Sequence, residues 1–184
     1  MNICVCCSSK EVSEKYMEPV RELGKRIAEG GHNLVWGGSN RGMMKVIADA
    51  VQENGGKLIG VSFELLRERA RKEATEMIVE KDLNTRKATL LARSDAIVML
   101  PGGTGTLDEI TEVIELKVFE MHNKAIIALN TNDFYAGLKT QLERMHEEDF
   151  LHVPLVELIH FADTPNEVIE YITNYVPPLR RGKF

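Results

Sequence analysis

Apolar and β-branched residues return along this chain in seven short runs: Ile3–Cys7, Asn33–Trp36, Lys57–Val61, Met77–Val79, Asp95–Leu100, Lys124–Leu129 and Val156–Phe161. Each run predicts a strand. Between them the apolar positions shift to helical spacing, as in Val20, Leu23 and Ile27, in Met43, Ile47 and Val51, and in Leu107, Ile110, Ile114, Val118 and Met121. Alternation of strand and helix predicts a mostly parallel sheet with helices on both faces. The unbroken apolarity of Ala96–Leu100 and Ala125–Leu129 suits strands buried on both sides. The expected fold is therefore α/β, a single Rossmann-like domain over residues 1–176. A polar, proline-punctuated extension is expected at residues 177–184. No linker, low-complexity tract or repeat marks a second domain.

Composition narrows the partners more than the fold. The chain has 184 residues, 43% hydrophobic and 28% charged, the balance of a globular protein rather than a disordered one. A formal net charge of -5 disfavours broad binding to nucleic acid or to an anionic membrane surface, so any anion must be gripped locally. The longest apolar runs fall far short of the ~20 residues of a membrane span. The first residues show no basic segment followed by a secretory apolar core, and export is not expected. Cys4, Cys6 and Cys7 crowd one strand, where they cannot easily bridge one another, which points to a reducing cytoplasm. With no nearby His and no second Cys pair, small apolar strand residues are expected there rather than a metal site.

In an open parallel sheet, ligands bind beyond the carboxyl ends of the strands. Three loops fall there: Cys7-Ser8-Ser9, Gly37-Gly38-Ser39-Asn40-Arg41-Gly42 and Pro101-Gly102-Gly103-Thr104-Gly105-Thr106. The third lies between a strand and a helix, the setting in which backbone N–H groups cradle a phosphate. A tight turn is the plainer alternative. Asp108 stands where a dinucleotide fingerprint needs its third glycine, and no Gly-Lys-Ser/Thr follows, so a monophosphate or ribose phosphate is the expected ligand. Asn84-Thr85-Arg86-Lys87 opens a short helix running to about Arg93, and its start faces the same edge.

Two charged positions stand out. Thr106-Leu107-Asp108-Glu109 reads equally as a capping box or as a site carboxylate. Arg86 and Lys87 place cations in a first helical turn, against the helix dipole, which favours a functional role. Cations and a carboxylate near a phosphate cradle suit cleavage at a sugar's anomeric carbon, with water attacking an oxocarbenium-like centre. Other features read more plainly. The mixed-charge stretch Arg67–Lys72 is expected to be a solvated helix face, with Glu68 a weak candidate for the site. Met43 and Met44 are expected in the core. The five histidines are scattered without the spacing of a metal site or relay.

Pro101-Gly102-Gly103-Thr104-Gly105-Thr106-Leu107-Asp108-Glu109 resembles the Pro-Gly-Gly-x-Gly-Thr-x-x-Glu motif of the Lonely Guy family. These are cytokinin riboside 5'-monophosphate phosphoribohydrolases, often labelled possible lysine decarboxylases. Arg86-Lys87 upstream is similar to that family's Arg-Lys pair. Cys7-Ser8-Ser9, Gly37-Gly38 to Gly42-Met43-Met44, and Gly55-Gly56 to Gly60-Val61 add matches over residues 2 to 150. The resemblance implies release of a free base and ribose 5-phosphate from a nucleoside monophosphate, without metal or organic cofactor, by a homodimer. It also implies Arg86 and Glu109 as catalytic residues. Substrate contacts are expected from Ser8, Gly37, Gly38, Glu68 and Lys87, and from Gly102, Gly103, Thr104, Gly105 and Thr106. The chain departs from the family pattern at Leu83-Asn84-Thr85, Glu115-Leu116, Ser62-Phe63 and Lys124-Ala125, positions that bear on the base.

Two other classes compete. A carrier of a phosphorylated ligand such as molybdenum cofactor would grip without cleaving. A lysine decarboxylase would need a pyridoxal phosphate lysine in a setting that this chain does not offer. Asp108, and Asn130 where an acid would follow the next strand, disfavour a nicotinamide enzyme.

Overall fold

The seven apolar runs become seven strands in a computed structural model that describes residues 1–179 and Gly182. They are β1 (Asn2–Cys6), β2 (Asn33–Trp36), β3 (Leu58–Phe63), β4 (Glu76–Glu80), β5 (Ala96–Met99), β6 (Ala125–Leu129) and β7 (His160–Ala162). They form one sheet in the order β4-β3-β2-β1-β5-β6-β7, every neighbouring pair parallel. The connecting helices are α1 (Glu14–Glu29), α2 (Gly42–Glu53), α3 (Leu83–Ala92), α4 (Thr104–Val118), α5 (Ala136–Glu147), α6 (Leu155–Leu158) and α7 (Pro165–Asn174).

Side chains alternate across each strand, so both faces of the sheet need cover. Ile3, Val5 and Cys7 meet Leu23 and Ile27 of α1, Ile47 and Val51 of α2, and Val168 and Ile172 of α7. Cys4 and Cys6 point the other way, into a second core with Leu90 of α3, Ile110 of α4 and Tyr135. Each fully buried Leu, Ile or Val contributes roughly 1.5–3 kcal/mol. The α/β fold with helices on both faces is thus as the sequence pattern predicts, and it is Rossmann-like.

Chain direction reverses its march across the sheet between β1 and β5, which pair from Ile3↔Ala96 to Cys6↔Met99. Crevices open at such a switch point, beyond the carboxyl ends of the two strands. There the loop after β1 faces the glycine turn after β5.

Two expectations need correction. The run Val156–Phe161 is not one strand: Pro154 precedes the single helical turn of α6, and β7 begins only at His160. Proline presets the backbone for a helix start, and Val156 is left exposed while Leu158 turns into the core. The stretch Arg67–Lys72 is a solvated helix face only in part, with Arg67, Glu68, Arg69 and Lys72 exposed. A 3-10 turn over Glu64–Arg69 ends there, and Arg71 is buried. Its guanidinium donates to Asn40 Oδ1 at 3.2 Å, Asp49 Oδ1 at 2.5 Å and Gln52 Oε1 at 2.7 Å. Of the expected extension, Pro178 accepts a hydrogen bond from Asn123 Nδ2 at 2.8 Å through its carbonyl. Arg180, Arg181, Lys183 and Phe184 lie outside the described residues. Among the described residues no helix is long and apolar enough to cross a membrane.

Candidate active site

The helix that carries Arg86 starts at a cap the sequence pattern did not single out. Asp82 accepts from the Thr85 amide at 2.8 Å while Thr85 Oγ1 reaches back to the Asp82 amide at 3.4 Å, a reciprocal capping box. Helix α3 therefore opens at Leu83, and Arg86 lies past the first three helical residues rather than in the exposed first turn. The dipole conflict is weaker than its sequence position implies. Arg86 runs inward instead: its Nε donates to the Val61 carbonyl at 2.9 Å, and its Nη1 donates to Glu109 Oε1 at 2.7 Å.

Glu109 is available for that pairing because, of the two readings of Thr106–Glu109, the capping box does not form. Helix α4 starts at Thr104 with Gly103 at its cap, so Thr106 already lies inside the helix. The Thr106 amide bonds the Gly103 carbonyl at 3.1 Å, and its side chain is buried against Gly102. One turn further, Glu109 faces α3. Side-chain exposures of 9% for Arg86 and 11% for Glu109 make this a largely buried ion pair at the carboxyl edge. Such a pair adds little net stability, since desolvation offsets attraction, but removing one partner strands a charge. Its burial is better explained by what the two groups do together.

Lys87 does not reach the glycine turn. Its ammonium pairs with Asp108 at 3.1 Å and with Glu112, both on α4. The Glu112 hydrogen bond, helped by Asp108 and opposed by partial burial, holds its pKa above the ordinary lysine value. Lys87 ties α3 to α4 and keeps Arg86 and Glu109 in register. Glu68 is exposed on the 3-10 turn after β3.

Two glycine-rich loops meet at this edge and differ in what fills the space beside them. In the loop after β2, a Cβ on Gly37 would overlap Arg86 Nη2 and come within 3.0 Å of Met44 Cε. Gly37 is bare because the guanidinium occupies its side-chain space. Gly42 has φ of 52° and presses on the backbone of Ser9 and Lys10, where a Cβ would overlap. The first amides of α2 are spoken for: Met43 N donates to the Lys10 carbonyl at 3.3 Å and Met44 N to the Ser8 carbonyl at 3.2 Å. Ser8 also accepts the Lys10 amide on its Oγ at 3.0 Å. Gly38 offers its carbonyl to the Arg71 amide at 2.8 Å. Met43 is buried in the core, as expected, whereas Met44 lies half-buried beside Gly37 and the guanidinium.

The turn after β5 is open. Gly103 and Gly105 have no described atom within 4 Å of where a Cβ would stand, apart from their chain neighbours and, for Gly105, the helix's own turn. Gly103 has φ of -93°, which any residue adopts. Thr104 and Gly105 are exposed, at the start of a helix whose first amides lack intrahelical acceptors. Neither crowding nor backbone strain within the chain explains those two glycines. They leave the backbone there open to close approach from outside.

The structure thus gathers Arg86, Glu109, Gly37 and the 102–106 turn at one edge, and turns Lys87 and the Ser8 hydroxyl to tasks within the chain. Sequence reasoning passed over Tyr135, whose hydroxyl donates to the Leu100 carbonyl beneath the turn at 2.6 Å. No spacing signal marks it, because the contact joins residues 35 positions apart.

The chain matches the family model described as possible lysine decarboxylase over residues 44–172. It is 35% identical over 178 residues to a protein of Oryza sativa subsp. japonica named as a probable cytokinin riboside 5'-monophosphate phosphoribohydrolase. That match covers 95% of this chain and 73% of the relative. An Arabidopsis thaliana protein named as a cytokinin riboside 5'-monophosphate phosphoribohydrolase is 33% identical over 178 residues, with 95% and 83% covered. Among solved structures, the molybdenum cofactor binding protein of Rippkaea orientalis superposes with a TM-score of 0.72 at 22% identity over 94% of each chain. The Moco carrier protein of Chlamydomonas reinhardtii gives 0.70 at 23% identity, again over 94% of each. At that identity these two speak for the fold alone.

Proposed function

Because the chain belongs to the Lonely Guy family, the group described as possible lysine decarboxylases, we propose that it is a phosphoribohydrolase. It cleaves the N-glycosidic bond of a nucleoside 5'-monophosphate to a free base and ribose 5-phosphate. The observation that carries this reading is the Arg86–Glu109 pair, 2.7 Å apart and nearly buried, at the edge where the 102–106 turn opens outward.

The amides of the turn and the start of α4 hold the 5'-phosphate, with Gly103 and Gly105 letting it approach the backbone. Fixing the phosphate places the ribose against Glu109. The carboxylate accepts a proton from water as the water oxygen bonds the anomeric carbon and the glycosidic C–N bond breaks; the departing base nitrogen keeps that bond's electron pair and takes the proton that Glu109 removed from the water. Positive charge that develops at the anomeric carbon is stabilised by the same carboxylate. Arg86, held by the Val61 carbonyl and seated in the space Gly37 leaves, fixes the carboxylate and adds positive charge toward the phosphate. No metal or organic cofactor takes part in this reading. AMP and cytokinin riboside monophosphates are both substrates of the right class. The same reading makes residues 1–176 the nucleotide-binding domain and 177–184 an extension, and places a homodimer in the cytoplasm. Three buried free cysteines suit a reducing compartment.

The test is incubation with AMP, a cytokinin riboside monophosphate and a panel of other monophosphates, with free base followed by chromatography. Wild type is expected to release base, and Arg86→Ala and Glu109→Ala to lose about 100-fold or more. Absence of release, or full rate in both variants, overturns the reading. Tight retention of a phosphorylated ligand without release would favour a carrier instead.

A further inference from the structure

Leu100 is one residue beyond the last ladder pairs of β5, Cys6↔Met99 and Met99↔Ala128, and is the hinge from which the glycine turn springs. Its amide is fixed to the Cys6 carbonyl at 3.0 Å. Its carbonyl has left the sheet, and a buried carbonyl requires a donor. The Tyr135 hydroxyl supplies it from the loop after β6, across 2.6 Å. Burial holds the Tyr135 pKa above its ordinary value, so the phenol keeps its proton as a donor, and the Gly102 backbone amide bears on the same oxygen.

Tyr135 is held with unusual care. Its amide donates to Asn130 Oδ1 at 2.7 Å, the Asn130 side chain donates in turn to Asp133 Oδ1 at 3.2 Å, and the Asn130 amide bonds the Ala162 carbonyl at 2.8 Å. The Phe134 ring meets the Tyr135 ring edge-on, centroids 4.9 Å apart. Between Asn130 and Tyr135 the chain passes through two consecutive non-glycine residues in the left-handed region, Asn132 at φ 53° and Asp133 at φ 54°. Each costs about 1 kcal/mol or more and persists only where its surroundings enforce it. That strain, the Asn130 brace and the buried phenol converge on one carbonyl, at the root of the turn in which Gly103 and Gly105 stand open.

We propose that Tyr135 is a positioning residue for the phosphate cradle: its hydroxyl, aimed by Asn130 and the strained 132–133 turn, fixes Leu100 and so sets the glycine turn at residues 101–106. This rests on the phosphoribohydrolase reading for the identity of the ligand, a sugar 5-phosphate, and not for the latch itself. Tyr135 touches no substrate atom and acts through the main chain.

The experiment compares wild type, Tyr135→Phe and Tyr175→Phe by calorimetric binding of ribose 5-phosphate and by steady-state base release. Tyr175 serves as control because its hydroxyl accepts from Lys117 Nζ at 2.8 Å at the opposite end of α4. Tyr135→Phe is expected to weaken ribose 5-phosphate binding and raise KM by about three- to tenfold, the worth of one buried hydrogen bond, with kcat changed less than twofold. Tyr175→Phe is expected to leave both unchanged. An unaltered dissociation constant in Tyr135→Phe, or equal losses in both variants, overturns the latch. If wild type binds ribose 5-phosphate but releases no base, the hydrolase reading fails while a weakened Tyr135→Phe still upholds the latch. If wild type does not bind it, both fall.

Discussion

The loop after β2 and the turn after β5 look alike as sequence, each rich in glycine and each leading into a helix, yet the chain closes one and leaves the other open. Ser8 and Lys10 carbonyls take the first amides of α2, and the Arg86 guanidinium takes the space beside Gly37. At the second turn Gly103 and Gly105 face outward, and α4 begins there without a side-chain cap. Glycine serves inward packing in one loop and outward approach in the other. In the proposed reading the second receives the anion, while the first gives the Arg86 guanidinium its room.

The largest break in this contrast is expected at Gly42. Alanine there meets a positive φ and the backbone of Ser9 and Lys10 together, so Gly42→Ala should lose about 3 kcal/mol or more of stability in urea denaturation. An unshifted midpoint would mean that the first loop is not closed as described.

Gly37→Ala separates packing from chemistry. Its Cβ would displace a flexible guanidinium tip rather than backbone, so the fold should hold to within about 1 kcal/mol. Base release should fall roughly 10- to 100-fold as Arg86 shifts from its place on Glu109. A stability loss with unchanged rate per folded molecule would reverse this assignment.

The subtlest effect belongs to the open turn. Gly105→Ala adds a good helix former in open space and should raise stability by up to about 0.5–1 kcal/mol. It should also weaken sugar-phosphate binding roughly tenfold by holding the anion off the backbone. A melting curve and a binding isotherm on the same sample decide it, and gain of stability with intact affinity would remove the cradle from this turn.

Much of this was legible before any coordinates. Asn33–Trp36 is a strand with the bounds its pattern predicts, and the other apolar runs up to Leu129 shift by only a residue or two at their ends. The failure at Val156–Phe161 has a local cause, a proline that favours a helical turn within a β-branched run. At the site, the choice between cap and catalyst for Glu109 was undecidable from spacing, because Ser/Thr-x-x-Glu describes both. The helix starts three residues earlier than that cap requires, at Thr104, which removes the cap reading and leaves the carboxylate free to pair with Arg86. Lys87 looked equivalent to Arg86 as its neighbour, but consecutive helical residues diverge by about 100°. One cation therefore faces Glu109 and the next faces Asp108 and Glu112.

The sequence alone determined the parallel sheet and the edge that carries the glycine turns, because periodicity and residue type act over a few positions, while its motif resemblance pointed to Arg86 and Glu109 as the chemistry to look for. Only the tertiary structure decided which glycine loop is open, where Arg86 finds its room, and that a phenol from residue 135 braces residue 100. Those outcomes depend on side chains that meet across tens of residues of sequence, where steric exclusion and buried hydrogen bonds select among arrangements that local preference leaves equal.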